Sequence, residues 1–290
     1  MINRLPAWFK QDVIDEATLK ISQLISEFHV DTVCQKAKCP NISRCFRNLK
    51  ITFMILGDVC TRHCRFCAVV KKSKNEILNI DFNQPYRIAE IVKKLGLDYI
   101  VITSVTRDDL EDGGAAIFAK TIELIYDINR KIKIEVLIPD FLGNIASLKV
   151  IINASPSVIA HNIEAVKRLY RELRPEASYE RSLNILKSIK EINPDLITKS
   201  SLMLGMGETE GEVIQALKDL RNTGCDILTL GQYLAPSKEH YPVKEFISKE
   251  QFARYEEIAY SLEFKKVLSG PLVRSSYQAE EIYRGFVEFR

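Results

Sequence analysis

Six of the seven cysteines fall between Cys34 and Cys67 and form two triads. Cys60, Cys64 and Cys67 have the spacing C-x3-C-x2-C, and Cys34, Cys39 and Cys45 the spacing C-x4-C-x5-C. Spacings of three and two let one short loop wrap three corners of a cuboidal iron–sulfur cluster, for which thiolates are the usual ligands. Three ligands for four irons leave one iron open. An open metal position is where a substrate is chelated and activated, and an amine and a carboxylate, as methionine carries, suit it. A zinc site with His63 as fourth ligand uses the same residues. His63 lies between two ligands in sequence, so we expect it to point away, because adjacent chelation strains so short a loop.

The second triad reads as another cluster site or as structural zinc, and a zinc reading that pools thiols from both triads stays open. Lys, Gln and Asn surround these thiols, so a chance group of core cysteines does not fit. Cys225 stands alone at the entry to a strand, where a thiol packs as a small hydrophobe. In a chain without signal-peptide features, clustered cysteines read as metal ligands and not as a disulfide framework.

Charge is distributed unevenly. Residues 34–74 carry a formal +9 and the remainder −6, for a net +3. Such a stretch is often a solvated face or a nucleic-acid footprint. Here cations beside thiols also favour the ligating thiolate, and they attract an acidic partner. The composition, 46% hydrophobic and 27% charged over 290 residues, is that of a globular protein with a sizeable core. No apolar run approaches the roughly eighteen residues of a membrane helix. Residues 1–10 have neither an h-region nor an Arg/Ser-rich presequence. The expectation is a cytoplasmic protein that binds neither membrane nor nucleic acid.

The elements that must position these thiols alternate in kind. An apolar helical spacing over 13–28 predicts a helix, followed by a polar cysteine-bearing loop. Short β-rich runs then occur at 51–57, 99–104, 132–138, 158–161, 197–204 and 227–230. Helix patterns lie between them at 85–95, 114–128, 145–153, 179–192 and 209–222. This alternation predicts an α/β fold with a parallel sheet. Six units predict a partial (βα)6 TIM-type barrel, with an N-terminal cluster-binding extension over 1–50, the barrel over 51–262 and a C-terminal capping segment over 263–290. In such folds the chemistry sits past the C-terminal strand ends. Polar clusters fall there at 60–67, 104–109, 139–140, 161–164, 205–208 and 232–233.

The motifs together resemble one family. C-x4-C-P-N, G-D-x-C-T-R-x-C-x-F-C, V-I-T-S-V-x-R-D-D-L-x-D-G-G, H-N-x-E, T-K-S-x-L-M-x-G-x-G-E-T, G-Q-Y-L-x-P-S and Arg274-Ser275-Ser276-Tyr277 resemble lipoyl synthases, from about Trp8 to Tyr277. The C-x3-C-x2-C motif alone implies only the radical S-adenosylmethionine superfamily. Phe46, Ala68 and Gln278-Ala279 depart from the family pattern, and none removes a ligand.

The resemblance implies that Cys60, Cys64 and Cys67 hold a [4Fe–4S] cluster that cleaves S-adenosylmethionine. It implies a second, auxiliary [4Fe–4S] cluster on Cys34, Cys39 and Cys45, with Ser276 as fourth ligand. The implied substrate is an octanoyl group on a lysine of a lipoyl carrier domain, which receives two sulfur atoms at carbons six and eight. Such carriers belong to 2-oxoacid dehydrogenase acyltransferase subunits and to the glycine cleavage carrier protein. A flavodoxin or ferredoxin as electron donor, and an iron–sulfur carrier for cluster repair, are further implied partners. The carbons are an unactivated methylene and a terminal methyl, from which no side-chain base removes a proton, so a radical sulfurtransferase fits the task.

For the cofactor pocket, Phe66 is a candidate to stack on adenine, or else a core residue. Asn162 and Glu164 are candidates for the ribose and methionine groups, or helix N-caps. Arg181 and Lys199 are candidates to pair with the methionine carboxylate, or surface ion pairs. Gly205 and Gly207 permit close backbone approach. Arg107, Asp108 and Asp109 read as loop contacts. The rival readings are another two-cluster radical enzyme, such as a methylthiotransferase, and a zinc-binding nucleic-acid module.

Overall fold

A computed structural model describes residues 12–288 together with Pro6 and Phe9. Apart from those two, residues 1–10, which bear on targeting, lie outside the described residues. The chain divides into two bodies. One comprises Gln11–His63 and Ala68–Ile159, the other Met1–Lys10, Cys64–Cys67 and Ala160–Arg290.

The first body opens with helix α1 (Glu16–Glu27), whose N-cap Asp15 accepts the Thr18 N–H. Where a cysteine-bearing loop was expected, the chain forms strand β1 (Asp31–Thr32) and two short helices, α2 (Val33–Lys36) and α3 (Ile42–Arg47). Thr32 starts the first of these by accepting the Gln35 N–H. Strand β2 (Thr52–Ile55) pairs antiparallel with β1. A small parallel pair, β3 (Val59–Cys60) and β4 (Val70–Lys71), brackets the cysteine loop. Helix α4 (Gln84–Leu95) leads into β5 (Tyr99–Ser104), which lies parallel to β2. Helix α5 (Ala115–Ile128) then leads into β6 (Lys133–Leu137), parallel to β5. Helix α6 (Ile145–Asn153) precedes β7 (Val158–Ala160), the strand in which the chain passes to the second body. Phe53, Ile55, Ile100, Ile102, Ile134 and Val136 are fully buried. Strands covered on both faces read as nearly continuous apolar runs, and these do.

The second body contains α7 (Tyr170–Leu173), α8 (Tyr179–Ile192), β8 (Ile197–Leu204), α9 (Glu210–Asn222), β9 (Ile227–Gln232), α10 (Lys249–Ser261), β10 (Lys266–Gly270) and α11 (Ala279–Val287). Strands β8, β9 and β10 are parallel neighbours. Its core gathers Leu202, Leu204, Leu228 and Leu230 from the strands with Val213, Leu217 and Phe252 from the helices. Cys225 is fully buried in that core, and burial pushes its thiol up to about 12.

The α/β class and parallel pairing are those expected. The six anticipated strands and five crossover helices are all present, with ends shifted by no more than two residues. Strands β3, β4 and β10 and helices α7, α10 and α11 are additional.

Helix α9 begins with a capping box in which Thr209 and Glu212 each accept the other's backbone N–H. Arg168 also grips Glu212, at 2.6 Å. The Arg168 bond, then the Thr209 N–H, hold the Glu212 carboxyl down at about 2 from 4.5. The folded value is the lower one, so this contribution is complete above about 4.5 and fades as pH falls toward 2. Glu212→Gln is therefore expected to be less stable than the parent near neutral pH, with the gap closing between about pH 4.5 and 2. Urea unfolding midpoints across that range test this, and a gap that stays constant with pH contradicts it.

Candidate iron–sulfur centres

The cysteine loop leaves β3 at Cys60 and is tied down at once. The Lys72 N–H donates to the Cys60 carbonyl at 2.8 Å, and the Thr61 N–H to the Thr106 carbonyl at 3.0 Å. The Thr61 hydroxyl accepts the Asp108 N–H at 3.0 Å. Next comes Arg62, which is 3% exposed. Its Nε and Nη2 donate to the two carboxylate oxygens of Asp108 at 2.6 and 2.9 Å. Its Nη1 and Nη2 also reach both oxygens of the fully buried Asp140. Asp108 follows β5 and Asp140 follows β6, so one guanidinium joins two strand-end loops to the cysteine loop. Burial disfavours its charge, but the two carboxylates outweigh that and raise its pKa. The Arg62 backbone N–H points at the Cys60 sulfur at 3.5 Å. Arg107, 1% exposed, is spent on Asp109 and the Leu78 carbonyl, as a loop contact should be.

Cys64 and Cys67 belong to the second body. The Cys67 N–H donates to the Cys64 carbonyl at 3.3 Å, the Arg65 N–H to the Leu173 carbonyl at 2.9 Å, and the Tyr241 N–H to the Arg65 carbonyl at 2.9 Å. His240 Nε2 lies 3.2 Å from the Cys67 carbonyl, while its Nδ1 lies 2.8 Å from the Ser237 hydroxyl. Burial, then the charge of a nearby Cys67 thiolate, raise the Tyr233 phenol pKa. Phe66 is partly buried against the apolar core of this body. His63 is exposed.

The second triad lies in the first body. Cys34 is buried, and burial pushes its thiol up to about 12, with the charges of Cys39 and Cys45 adding to the rise. Those two thiols are therefore close enough to feel a Cys34 thiolate. The Thr52 backbone and side chain hydrogen-bond the sulfur and act in the opposite direction. The α2–α3 turns hold the spacing: the Cys39 N–H donates to the Cys34 carbonyl at 3.0 Å and the Cys45 N–H to the Asn41 carbonyl at 2.9 Å.

Past β7, the Asn162 amide donates to Glu164 Oε1 at 2.9 Å, and the Ser275 hydroxyl donates to Asn162 Oδ1 at 2.9 Å. Neither Asn162 nor Glu164 caps a helix; the N-cap of the following helical turn is Val166. Burial raises the Glu164 pKa, opposed by Arg174, Asn162 and Arg274. Lys199 is fully buried in β8, so the surface ion pair entertained for it does not apply. Arg181 is half-buried near the start of α8 and donates to the Glu176 carbonyl at 2.9 Å. Gly205 has φ 94, and a Cβ there would collide with the Gln232 amide and the Glu245 carbonyl. Its N–H and that of Met206 both donate to the Glu208 carboxylate. Ser276 is half-buried beside Ser275.

The donor sets suit iron–sulfur clusters. All seven cysteines are free thiols, and in both triads a sulfur accepts hydrogen bonds from within its own body. Such bonds stabilise a ligating thiolate and tune the group it holds. Among the described residues, no three His, Cys, Asp or Glu side chains converge as donors to a single metal ion. No helix among them is long and apolar enough to cross a membrane.

Arg62, Asp140 and His240 escaped the assignment of roles by sequence. Arg62 stood inside the motif and Asp140 at a strand end, whereas His240 had no local signal.

Comparison with known proteins identifies the family. The family model described as Radical SAM superfamily matches residues 54–220. Lipoyl synthase from Caldanaerobacter subterraneus subsp. tengcongensis is 50% identical over 282 residues, covering 97% of each chain. Lipoyl synthase from Caldicellulosiruptor bescii is 52% identical over 276 residues, covering 95% of this chain and 94% of its own. Among solved structures, the [FeFe]-hydrogenase maturase HydG from Carboxydothermus hydrogenoformans superimposes with a TM-score of 0.57 at 14% identity, covering 82% of this chain and 56% of that one. That last likeness speaks for the fold alone. The chain belongs to the lipoyl synthase family of the radical S-adenosylmethionine superfamily.

Proposed function

We propose that this protein is a lipoyl synthase, a radical sulfurtransferase that inserts two sulfur atoms, at carbons six and eight, into an octanoyl group on a lysine of a lipoyl carrier domain. The observation that carries this reading is near-full-length kinship at half identity with proteins of that name. The two thiol triads support it. On this reading Cys60, Cys64 and Cys67 hold one [4Fe–4S] cluster. Cys34, Cys39, Cys45 and Ser276 hold a second. When bound, the first supplies the electron that cleaves S-adenosylmethionine to a hydrogen-abstracting radical, and the second supplies the inserted sulfur.

The chain's own residues hold and orient. Phe66, Asn162, Glu164, Arg181, Lys199 and Gly205 form the S-adenosylmethionine contacts. Arg62 is a positioning residue that holds the entry to the cysteine loop. Residues 1–50 serve as the auxiliary-cluster segment, 51–262 as the catalytic barrel and 263–290 as the segment that brings Ser276. The partners are octanoylated carrier domains of 2-oxoacid dehydrogenases and of glycine cleavage, a flavodoxin or ferredoxin, and an iron–sulfur carrier that rebuilds the second cluster. The reaction takes place in the cytoplasm.

Anaerobic incubation of the reconstituted protein with an octanoylated peptide, S-adenosylmethionine and a reductant is expected to add two sulfurs by mass and to release 5′-deoxyadenosine. Release without added sulfur sinks the assignment within the superfamily. In the same assay Cys60→Ala is expected to abolish 5′-deoxyadenosine, while Cys39→Ala retains it and loses sulfur transfer. Equal loss of both products in Cys39→Ala contradicts separate roles for the triads.

Arg62→Met removes the cation shared by the buried Asp140 and the partly exposed Asp108, and the expected loss is about 3 kcal/mol of stability. It should also lower the iron retained per chain. Adding Asp140→Leu should recover part of the stability but not the iron. Full iron content in Arg62→Met removes its positioning role.

A further inference from the structure

The C-terminal Arg-Ser-Ser-Tyr turn is seated on the second body at several points. After β10 the chain turns back, with the Val273 N–H donating to the Gly270 carbonyl at 3.0 Å. It then passes so close to β9 that a Cβ on Gly231 would collide with the Val273 carbonyl. The turn closes with the Tyr277 N–H on the Arg274 carbonyl at 3.0 Å. Gln278 then takes a left-handed φ of 51 as N-cap of α11. The backbone that carries Ser276 is thus pinned on both sides.

The side chain next to Ser276 adds a distant anchor. A serine in an exposed turn ordinarily bonds its own neighbouring backbone. Ser275 instead donates to Asn162, 113 positions away in sequence. With that proton accepted at Oδ1, the Asn162 amide points its Nδ2 at Glu164. Glu164 cannot yield: its φ is 64, a strained conformation for a residue with a side chain. That conformation is fixed by its N–H on the Ser201 carbonyl and by the Met203 N–H on its own carbonyl, each at 3.0 Å. Arg174 Nη1 donates to the Asn162 and Ile163 carbonyls at 3.3 and 3.1 Å and closes the other side. The polar chain that starts at Ser275 therefore ends on backbone held by β8.

We infer that Ser275 is the positioning residue of this turn: through its hydrogen bond to Asn162 it sets the orientation in which Ser276 is presented. The two serines are then not interchangeable. Ser276 acts, and Ser275 holds the peptide from which it acts. The inference rests on the reading of Ser276 as a ligand of the second cluster.

The test uses the anaerobically reconstituted holoenzyme, with Ser275→Ala, Ser275→Thr and Ser276→Ala. Three quantities are read: 5′-deoxyadenosine released, sulfur inserted per 5′-deoxyadenosine, and the Mössbauer signature of the second cluster. Ser275→Ala is expected still to release 5′-deoxyadenosine, at a rate lowered with the hold on Asn162, which is why sulfur is read per 5′-deoxyadenosine. Sulfur per 5′-deoxyadenosine should fall about fivefold, the scale of one lost neutral hydrogen bond, and the signature should broaden. Ser275→Thr keeps the hydroxyl and should recover both. A parental ratio and signature in Ser275→Ala overturn the inference, as does a Thr variant no better than Ala. If Ser276→Ala is damaged while Ser275→Ala is not, only the inference fails. If Ser276→Ala itself is silent, the ligand reading fails and takes the inference with it.

Discussion

One guanidinium clamped between two carboxylates sets where the cysteine loop begins. Arg62 is buried, and a buried cation persists only when its charge and its N–H groups are all met. Asp108 and Asp140 meet them from the ends of adjacent parallel strands. Adjacent strands in a parallel sheet end on the same side, so two carboxylates at consecutive strand ends can converge on one partner. The loop that starts at Cys60 therefore inherits its position from the sheet register and not from its own sequence. A metal-binding loop needs this support, because a ligand held loosely costs ordering entropy each time the group binds.

The same dependence recurs at the other end of the chain. The turn with Ser275 and Ser276 borrows order from β9 through Gly231 and from the β7 end through Asn162. Cys34 borrows it from β2, where Thr52 bonds its sulfur. In each case a short polar segment that cannot fold alone is fastened to a strand that can. Chemistry sits past the strand ends for that reason: the strands supply rigidity, and the loops supply donors and acceptors.

Strands and crossover helices were legible because burial on both faces writes long apolar runs, as at 99–104 and 197–204. The cysteine triads were legible because ligand spacing within one loop is a local property. What escaped notice was non-local or weakly apolar. Strand β10 reads Lys-Val-Leu-Ser-Gly and is only partly buried, so it lacks the run that marks an inner strand. Helices α2 and α3 are too short for periodicity to show. Asn162 and Glu164 carried an N-cap signature, but their side chains were taken by each other and by a serine far along the chain. No spacing rule encodes such a pairing.

Charge shows where counting along the sequence misleads. Residues 34–74 total +9 in isolation, which suggests an intense positive surface. In the folded chain Lys36 meets Asp31 and Asp58, Arg44 meets Asp12, Arg47 meets Asp15, and Arg62 meets Asp108 and Asp140. Arg65 meets Glu172. Most of these acids lie outside the stretch, so a window of sequence counts the cations and omits their partners. An ion pair presents a dipole, whose field decays faster than that of a bare charge, and salt screens what remains. The basic segment thus acts first on its own fold, bracing the short helices that carry Cys34 and Cys45 and the turn between them that carries Cys39. Its attraction for any acidic partner must be weaker than the sequence total implies.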